Sequence, residues 1–150
     1  FQQVREKRGL CYSIFSFASM QSDCGNFAIY AGTSADQVDE MLGVVCAELR
    51  DVANSVNGEE VARAKAQLRA SLLMARESVA SCTDALARQV TLFDKPSDDA
   101  ALLAAIDDVD AAKVSAVAQR LIAGGGPALA AVGPSVEMMS NEALAARLAA

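Results

Sequence analysis

The sequence contains no histidine and no tryptophan, and without histidine it lacks a common catalytic base and metal ligand. Histidine is the usual general base for a serine or cysteine nucleophile and a frequent ligand of zinc. The four cysteines, at positions 11, 24, 46 and 82, include no C-x-x-C pair. We therefore expect no catalytic residues in this chain alone and no metal site built from it. The cysteines are interpreted as small, unpaired, buried side chains of a reducing compartment.

Aromatic residues are also scarce, at 5%, whereas hydrophobic residues make up 53% of the 150-residue chain. A chain of this length and composition can bury one aliphatic core but is too short for two large cores, so we expect a single domain over residues 1–150. The net charge is −6, and no basic stripe extends beyond residues 5–8, which argues against nucleic acid as a partner. No apolar run reaches transmembrane length, so no membrane partner is expected.

The hydrophobic pattern begins with the end of a helix and a hairpin. Residues 1–8 are typical of a helix that lacks its N-cap and ends at Gly9, so we expect the domain to be truncated at its N-terminus. Alternating residues at 10–19 and 26–33, joined by a turn cluster, predict two antiparallel strands. In the first strand, Leu10, Tyr12 and Ile14 should share one face.

Apolar residues at spacings of three and four predict helices in most of the remaining chain. A short apolar run at residues 128–132, bounded by Gly-Pro pairs, predicts a buried strand that returns to the sheet. The fold class is therefore α+β, an antiparallel-rich sheet with helices packed on one face. The first predicted helix follows a capping box at Ser34 and Gln37. A long helical pattern spans residues 59–93, with a break near 78–83. A short helix covers residues 98–106, and two further helices begin after Asp110 and Ser140.

Two motifs that could suggest a ligand have simpler structural explanations. Residues 124–127, GGGP, follow a predicted helix and lack the Lys-Ser/Thr of a phosphate loop, so we interpret them as a connector. Acid pairs at 59–60, 98–99 and 107–108 lie at or near predicted helix starts, where carboxylates are favoured by free N–H groups.

Arg5 and Tyr12 are the candidate site residues, seven positions apart across the predicted helix–strand junction. A guanidinium and a phenol are good hydrogen-bond donors to a peptide carbonyl, and both side chains can point into the same space at a sheet end. Taken alone, the charges at 5–8 are more often a solvated helix face, and a tyrosine there is often an aromatic at the edge of the core.

Residues 1–13, FQQVREKRGLCYS, closely resemble a segment of the pitrilysin and mitochondrial-processing-peptidase family of zinc metallopeptidases. The likeness continues through the hairpin, the long helices and residues 128–134, ALAAVGP. Members resemble a clamshell of repeated α+β units, whose N-terminal half carries the inverted zinc motif H-x-x-E-H and a further glutamate ligand. The resemblance implies that this chain is the metal-free C-terminal half, or one unit of it, and that zinc lies in the N-terminal half of the parent protein.

The resemblance also implies a function and partners. Arg5 and Tyr12 would bind the substrate peptide from across the chamber of a zinc-dependent endopeptidase, and the partner would be a zinc-bearing half or subunit. The family also includes proteins without zinc ligands that act as partner or scaffold subunits, and the residues that decide between these lie upstream. An unrelated α+β oligomerisation module is a third alternative. Apolar surface on an isolated half favours self-association, and the unpaired cysteines favour cytoplasm or an organelle matrix.

Overall fold

A computed structural model describes residues 1–124, 126–134 and 138–149. The chain divides into two compact units: unit 1 comprises Phe1–Asn54 and Ser115–Ala150, and unit 2 comprises Ser55–Val114. None of the described helices is both long and apolar enough to cross a membrane. In chain order the elements are a π-helical turn Gln2–Glu6, strands β1 Ser13–Met20 and β2 Gly25–Gly32, a 3₁₀ turn Ala35–Gln37, and helices α1 Val38–Asn54, α2 Gly58–Ala75, α3 Val79–Phe93, α4 Asp99–Asp107, α5 Ala111–Ala123 and α6 Asn141–Ala149.

The predicted hairpin is present, and the α+β class is confirmed. Strands β1 and β2 pair antiparallel from Ser13 opposite Gly32 to Met20 opposite Gly25. Because side chains alternate across a strand, one face carries Ile14 and Ala31, which pack against the core of unit 1. The buried residues of that core come from the opening segment and from α1: Val4, Leu10, Cys11, Met41 and Leu42.

The opening helix ends at Glu6, three residues before the predicted stop at Gly9. Gly9 has φ +65°, a left-handed conformation that glycine adopts without the steric penalty of a side chain. Its N–H donates to the carbonyl of Arg5 at 3.0 Å, and the N–H of Leu10 donates to the carbonyl of Val4 at 2.9 Å. The turn is π-helical, because the N–H of Lys7 reaches back five residues to the carbonyl of Gln2 at 2.9 Å.

The predicted break in the long helical pattern is also confirmed, since α2 ends at Ala75 and α3 begins at Val79. Ser78 caps α3, and its hydroxyl oxygen accepts from the N–H of Ser81 at 3.3 Å. The capping box predicted at Ser34 forms differently: its hydroxyl donates to the side-chain oxygen of Gln37 at 3.1 Å and caps no N–H. The helix there opens with a 3₁₀ turn, so its backbone geometry differs from that of an α-helical start.

The two remaining predicted caps are present. Asp110 accepts from the N–H of Lys113 at 2.8 Å, and Ser140 accepts from the N–H of Ala143 at 3.2 Å. The acid pair at 107–108 lies at the end of α4 and not at a helix start, with each carboxylate bound by a cation.

The strand predicted at residues 128–132 is wrong, because these residues form no strand in the structure. The N–H of Leu129 donates to the side-chain oxygen of Asn141 at 3.2 Å instead of to a neighbouring strand. Leu129 is half-buried against the core of unit 1, whereas Val132 is fully exposed. A short apolar run favours burial of some of its residues. A β-strand also needs a neighbouring strand that pairs with its backbone N–H and C=O groups.

The predicted shared face of Leu10, Tyr12 and Ile14 is also wrong. Leu10 and the adjacent Cys11 are both buried, with exposed fractions of 3% and 7%, whereas Tyr12 is 84% exposed. The reason is that β1 begins at Ser13, so the alternation of a pleated strand does not extend back to these residues.

Candidate functional site

The backbone of Arg5 is fixed at the end of the opening helix. Its N–H donates to the carbonyl of Phe1 at 2.9 Å, and its carbonyl accepts from Gly9 at 3.0 Å. The preceding residue, Val4, is buried in the core of unit 1 with Met41 and Leu42. The core therefore holds this turn in place while the side chain of Arg5 remains exposed.

The guanidinium of Arg5 lies over an aromatic ring. Its Cζ is 5.0 Å from the ring centroid of Phe1, which is within the range of a cation–π interaction. In the part of the chain that the structure describes, the Arg5 side chain forms no ion pair and donates no hydrogen bond. Its N–H groups are therefore available to an external acceptor.

Tyr12 lies on the other side of the Gly9 turn, immediately before β1. Its N–H donates to the carbonyl of Gly32 at 2.8 Å, which ties its backbone to the hairpin. Burial of Leu10 and Cys11 anchors the preceding residues, and the phenol projects into solvent. Among the described ranges, no side chain hydrogen-bonds to its hydroxyl.

The structure thus places both sequence-predicted residues on the surface of unit 1, on either side of a buried pair, Leu10 and Cys11. A guanidinium and a phenol that are accessible and unoccupied can donate to a peptide carbonyl. Their contact with a substrate remains a prediction. The Phe1–Arg5 contact was not part of that prediction, although an aromatic four residues before an arginine on a helix is a signal for it.

A polar groove of about 540 Å³ on unit 1, lined in part by Gln3 and Arg8 of the opening segment, was missed by the sequence reasoning. One face of α1 lines it, and the Arg147 side chain of α6 binds Asp39 at 3.2 Å there. A Cβ at Gly43 would lie 3.4 Å from the guanidinium of Arg147, which is an ordinary van der Waals contact, so the groove has room for a small side chain there. The acidic residues of α1 that line the groove are Asp39, Glu40, Glu48 and Asp51.

The side chains that could bind a metal lie apart from one another in the described residues. Within residues 1–124, 126–134 and 138–149, no three side chains of the histidine, cysteine, aspartate or glutamate type gather as a metal site would require. All four cysteines are free, with Cys11 and Cys46 buried, Cys82 half-buried and Cys24 exposed. Burial raises the pKa of the Cys46 thiol, partly opposed by the positive charges of Arg50 and Arg147.

Comparison with known proteins shows the family. Residues 1–68 match the family model described as the peptidase M16 inactive domain. The chain is 36% identical to an uncharacterized zinc protease of Streptomyces coelicolor over 135 residues, which are 89% of this chain and 29% of that protein. It is 33% identical to a probable mitochondrial-processing peptidase subunit beta of Arabidopsis thaliana over 122 residues, which are 81% of this chain and 23% of that protein. The resemblance to pitrilysin-like and mitochondrial-processing peptidases is therefore confirmed, with the peptidase M16 model itself matched over residues 1–68.

The fold has a solved counterpart. A chain in the structure of complex III2 from Candida albicans, Inz-5 bound, matches with a TM-score of 0.71, over 78% of this chain and 28% of that chain, at 22% identity. This likeness shows the fold. Because the chain spans only 29% and 23% of the two curated relatives, the activity of a whole protein does not follow from the matches alone.

Proposed function

We propose that the chain is the metal-free, C-terminal peptidase-like domain of a zinc-dependent endopeptidase, and that Arg5 and Tyr12 bind its substrate peptide. The observation that carries the proposal is their exposure, with no hydrogen bond from either side chain in the described residues, on a backbone that the core of unit 1 fixes. The family match supports the class of enzyme, and donor chemistry supports the role of the two side chains.

The physical role of these donors is to stabilise charge. When a peptide bond is hydrolysed, negative charge develops on its carbonyl oxygen. The guanidinium of Arg5 and the hydroxyl of Tyr12 would donate to that oxygen or to carbonyls beside it. Donors that are already fixed require little reorganisation at the moment of reaction, which is why such groups contribute strongly to catalysis. The backbone of Arg5 is held by hydrogen bonds within the opening segment, with Phe1 and Gly9, and that of Tyr12 by a hydrogen bond to Gly32 of β2.

The metal in this proposal belongs to another part of the protein. The curated relatives include a zinc protease, but this sequence has no histidine and its described residues do not form a metal cluster. A zinc-bearing N-terminal half or partner subunit would therefore supply the metal, and this chain would form part of the chamber wall. The single domain of residues 1–150 and a location in cytoplasm or an organelle matrix are part of the same proposal.

The test is made in the natural protein that contains this chain, together with its zinc-bearing half. Tyr12→Phe removes only the hydroxyl, and Arg5→Gln removes the charge and most of the donors. Loss of one fixed donor lowers turnover by about 10²–10³-fold in well-studied hydrolases, and we expect falls of that order in kcat/KM on an extended peptide.

The chain offers matched controls. Tyr30, the only other tyrosine, is 53% exposed and its ring lies 5.1 Å from that of Phe15, so Tyr30→Phe should leave kcat/KM unchanged. Arg63→Gln removes an exposed arginine of α2 that lies 4.0 Å from Glu60. Thermal midpoints should stay within a few degrees for all four variants. Unchanged kcat/KM in both Tyr12→Phe and Arg5→Gln would overturn the assigned roles.

A non-catalytic partner or scaffold subunit is the second candidate function. The match to an inactive domain and the subunit named in the Arabidopsis relative favour it. The two functions differ in one measurement, since a scaffold would show no peptide hydrolysis in the zinc-supplemented parent protein while still assembling with its partner. In that case the Arg5 and Tyr12 variants would leave assembly unchanged.

A further inference from the structure

We infer that Phe1 is a positioning residue for Arg5, acting through the cation–π contact between its ring and the guanidinium. The inference rests on the proposed function, because it concerns how Arg5 is held ready for a substrate carbonyl. Phe1 is the N-cap of the opening π-helical turn, and the N–H of Arg5 donates to its carbonyl at 2.9 Å, which brings the two residues together. The distance from Cζ of Arg5 to the ring centroid is 5.0 Å.

The contact differs from those that hold other arginines of the chain. The guanidinium of Arg69 binds Asp107 at 2.5 Å and that of Arg76 binds Asp99, so each of these guanidinium groups already donates to a carboxylate. A ring face attracts a cation without accepting a conventional hydrogen bond. The Arg5 side chain is therefore restrained at one place while its N–H groups stay free for a substrate.

Restraint before binding has a predictable consequence. An arginine side chain has many rotamers, and holding it in one region before the substrate arrives reduces the conformational entropy lost on binding. The alternative is an ordinary surface contact with no effect on the reaction. The backbone hydrogen bond from Arg5 to Phe1, at 2.9 Å, is present in either case and survives substitution of the Phe1 side chain.

The test is a double-substitution cycle in the natural protein that contains this chain. Phe1→Leu keeps an apolar side chain and removes the ring, and we expect it to lower kcat/KM by about 2- to 5-fold, the range for an exposed cation–π contact. In an Arg5→Gln background the same substitution should have no further effect. Phe1→Trp, which keeps an aromatic face, should retain the activity of the unsubstituted protein.

Phe93→Leu is the matched control, because Phe93 is 63% exposed, close to the 57% of Phe1, and lies at the end of α3. It should leave kcat/KM unchanged. No fall in Phe1→Leu, or an equal fall with and without Arg5, overturns the inference and leaves the proposed function standing. Failure of Phe1→Trp to retain activity also overturns it. If Arg5→Gln alone has no effect, the role of Arg5 and this inference are overturned together.

Discussion

Unit 1 and unit 2 are stabilised in different ways. Eight of the buried hydrophobic residues belong to unit 1, including Val4, Met41, Cys46 and Leu144. Among the described residues of unit 2, only Val61 is buried to the same degree. Because burial of apolar surface is the dominant favourable term in folding, unit 1 carries most of the core of this chain.

Unit 2 instead places charged groups at helix ends. The Nζ of Lys65 donates to the carbonyls of Asp107 and Val109 at 2.6 and 2.8 Å, and so caps the end of α4. Arg69 and Arg76 bind carboxylates of the same helix. Exposed ion pairs contribute little, about 0–1 kcal/mol each, so they do not replace a core. The apolar side chains of unit 2 that are at least half exposed include Leu68, Leu73, Met74, Leu86 and Phe93.

The difference bears on the proposed function, because Arg5 and Tyr12 lie on the unit with the core. A donor that must keep its position during a reaction is best supported by a well-packed element. Unit 2, with fewer buried contacts, should open more readily in local unfolding. Four predictions test this difference between the units.

The largest effect should come from the core of unit 1. Leu42→Ala removes a buried side chain, and we expect the free energy of unfolding to fall by about 2–5 kcal/mol. Leu73→Ala in α2 of unit 2 removes a leucine that is 57% exposed, and the change should stay within about 0.5 kcal/mol. Urea denaturation followed by circular dichroism measures both. Equal losses at the two sites would show that the units do not differ in this way.

A smaller, kinetic difference should separate two thiols. Cys46 lies buried in unit 1 and burial raises the pKa of its thiol, whereas Cys82 in unit 2 is half-buried. The thiolate is the reactive form, so we expect iodoacetamide to modify Cys82 faster than Cys46 by at least about tenfold at neutral pH. Mass spectrometry of timed digests gives both rates. The exposed Cys24 is the internal reference, and modification of Cys46 at the rate of Cys24 would contradict the burial described above.

The raised pKa of the Cys46 thiol also makes the stability of the folded protein depend on pH. The folded protein keeps the proton of this thiol to higher pH than the unfolded chain does. The contribution to stability is therefore complete below the unfolded pKa and is lost as the pH rises through the folded value. Cys46→Ala should remove this part of the alkaline decline, measured by urea midpoints in steps upward from neutral pH.

The smallest effect should come from an exposed pair in unit 2. Lys113 donates to the carboxylate of Asp108 at 2.5 Å, and this hydrogen bond lowers the pKa of Asp108 below its usual 3.8. A carboxyl group whose pKa is lower in the folded state contributes stability that is complete above its unfolded-state pKa. That contribution is lost as the pH falls through the folded-state pKa. Asp108→Asn should flatten the acid limb of the stability curve slightly, an effect that added salt reduces.

Asp84→Asn on α3 provides the comparison, since Asp84 is exposed and has no ion pair among the described residues. Urea midpoints from neutral pH downward measure both variants. An identical acid limb in the two would show that the Asp108–Lys113 pair makes no contribution.

Local chemistry accounts for what could be predicted in the fold. Gly9 turns the chain after the opening helix, Ser78 caps α3, and the hairpin turns between its two strands, because each of these depends on residues within a few positions. The opening residues also identified the family, which the match over residues 1–68 confirms. The site residues Arg5 and Tyr12 came from the same short segment.

Predictions failed where a distant partner decides the outcome. Residues 128–132 have the composition of a strand, but their hydrogen bonds go elsewhere, as the contact of Leu129 with Asn141 shows. The groove on unit 1 depends on Asp39 and Arg147, which are 108 positions apart and meet only because α6 packs on α1. No local pattern contains that information.

The amino-acid sequence by itself determined the turns, caps, helix breaks and family of this protein, because these follow from the conformational preferences of neighbouring residues. Only the tertiary structure decided which apolar residues are buried, and that Tyr12 is exposed while Leu10 and Cys11 beside it are buried. It also decided that the guanidinium of Arg5 lies over the ring of Phe1 and bonds to no other side chain among the described residues. The physical reason is that burial and side-chain contact depend on which elements pack together, and that choice is made by the whole chain at once.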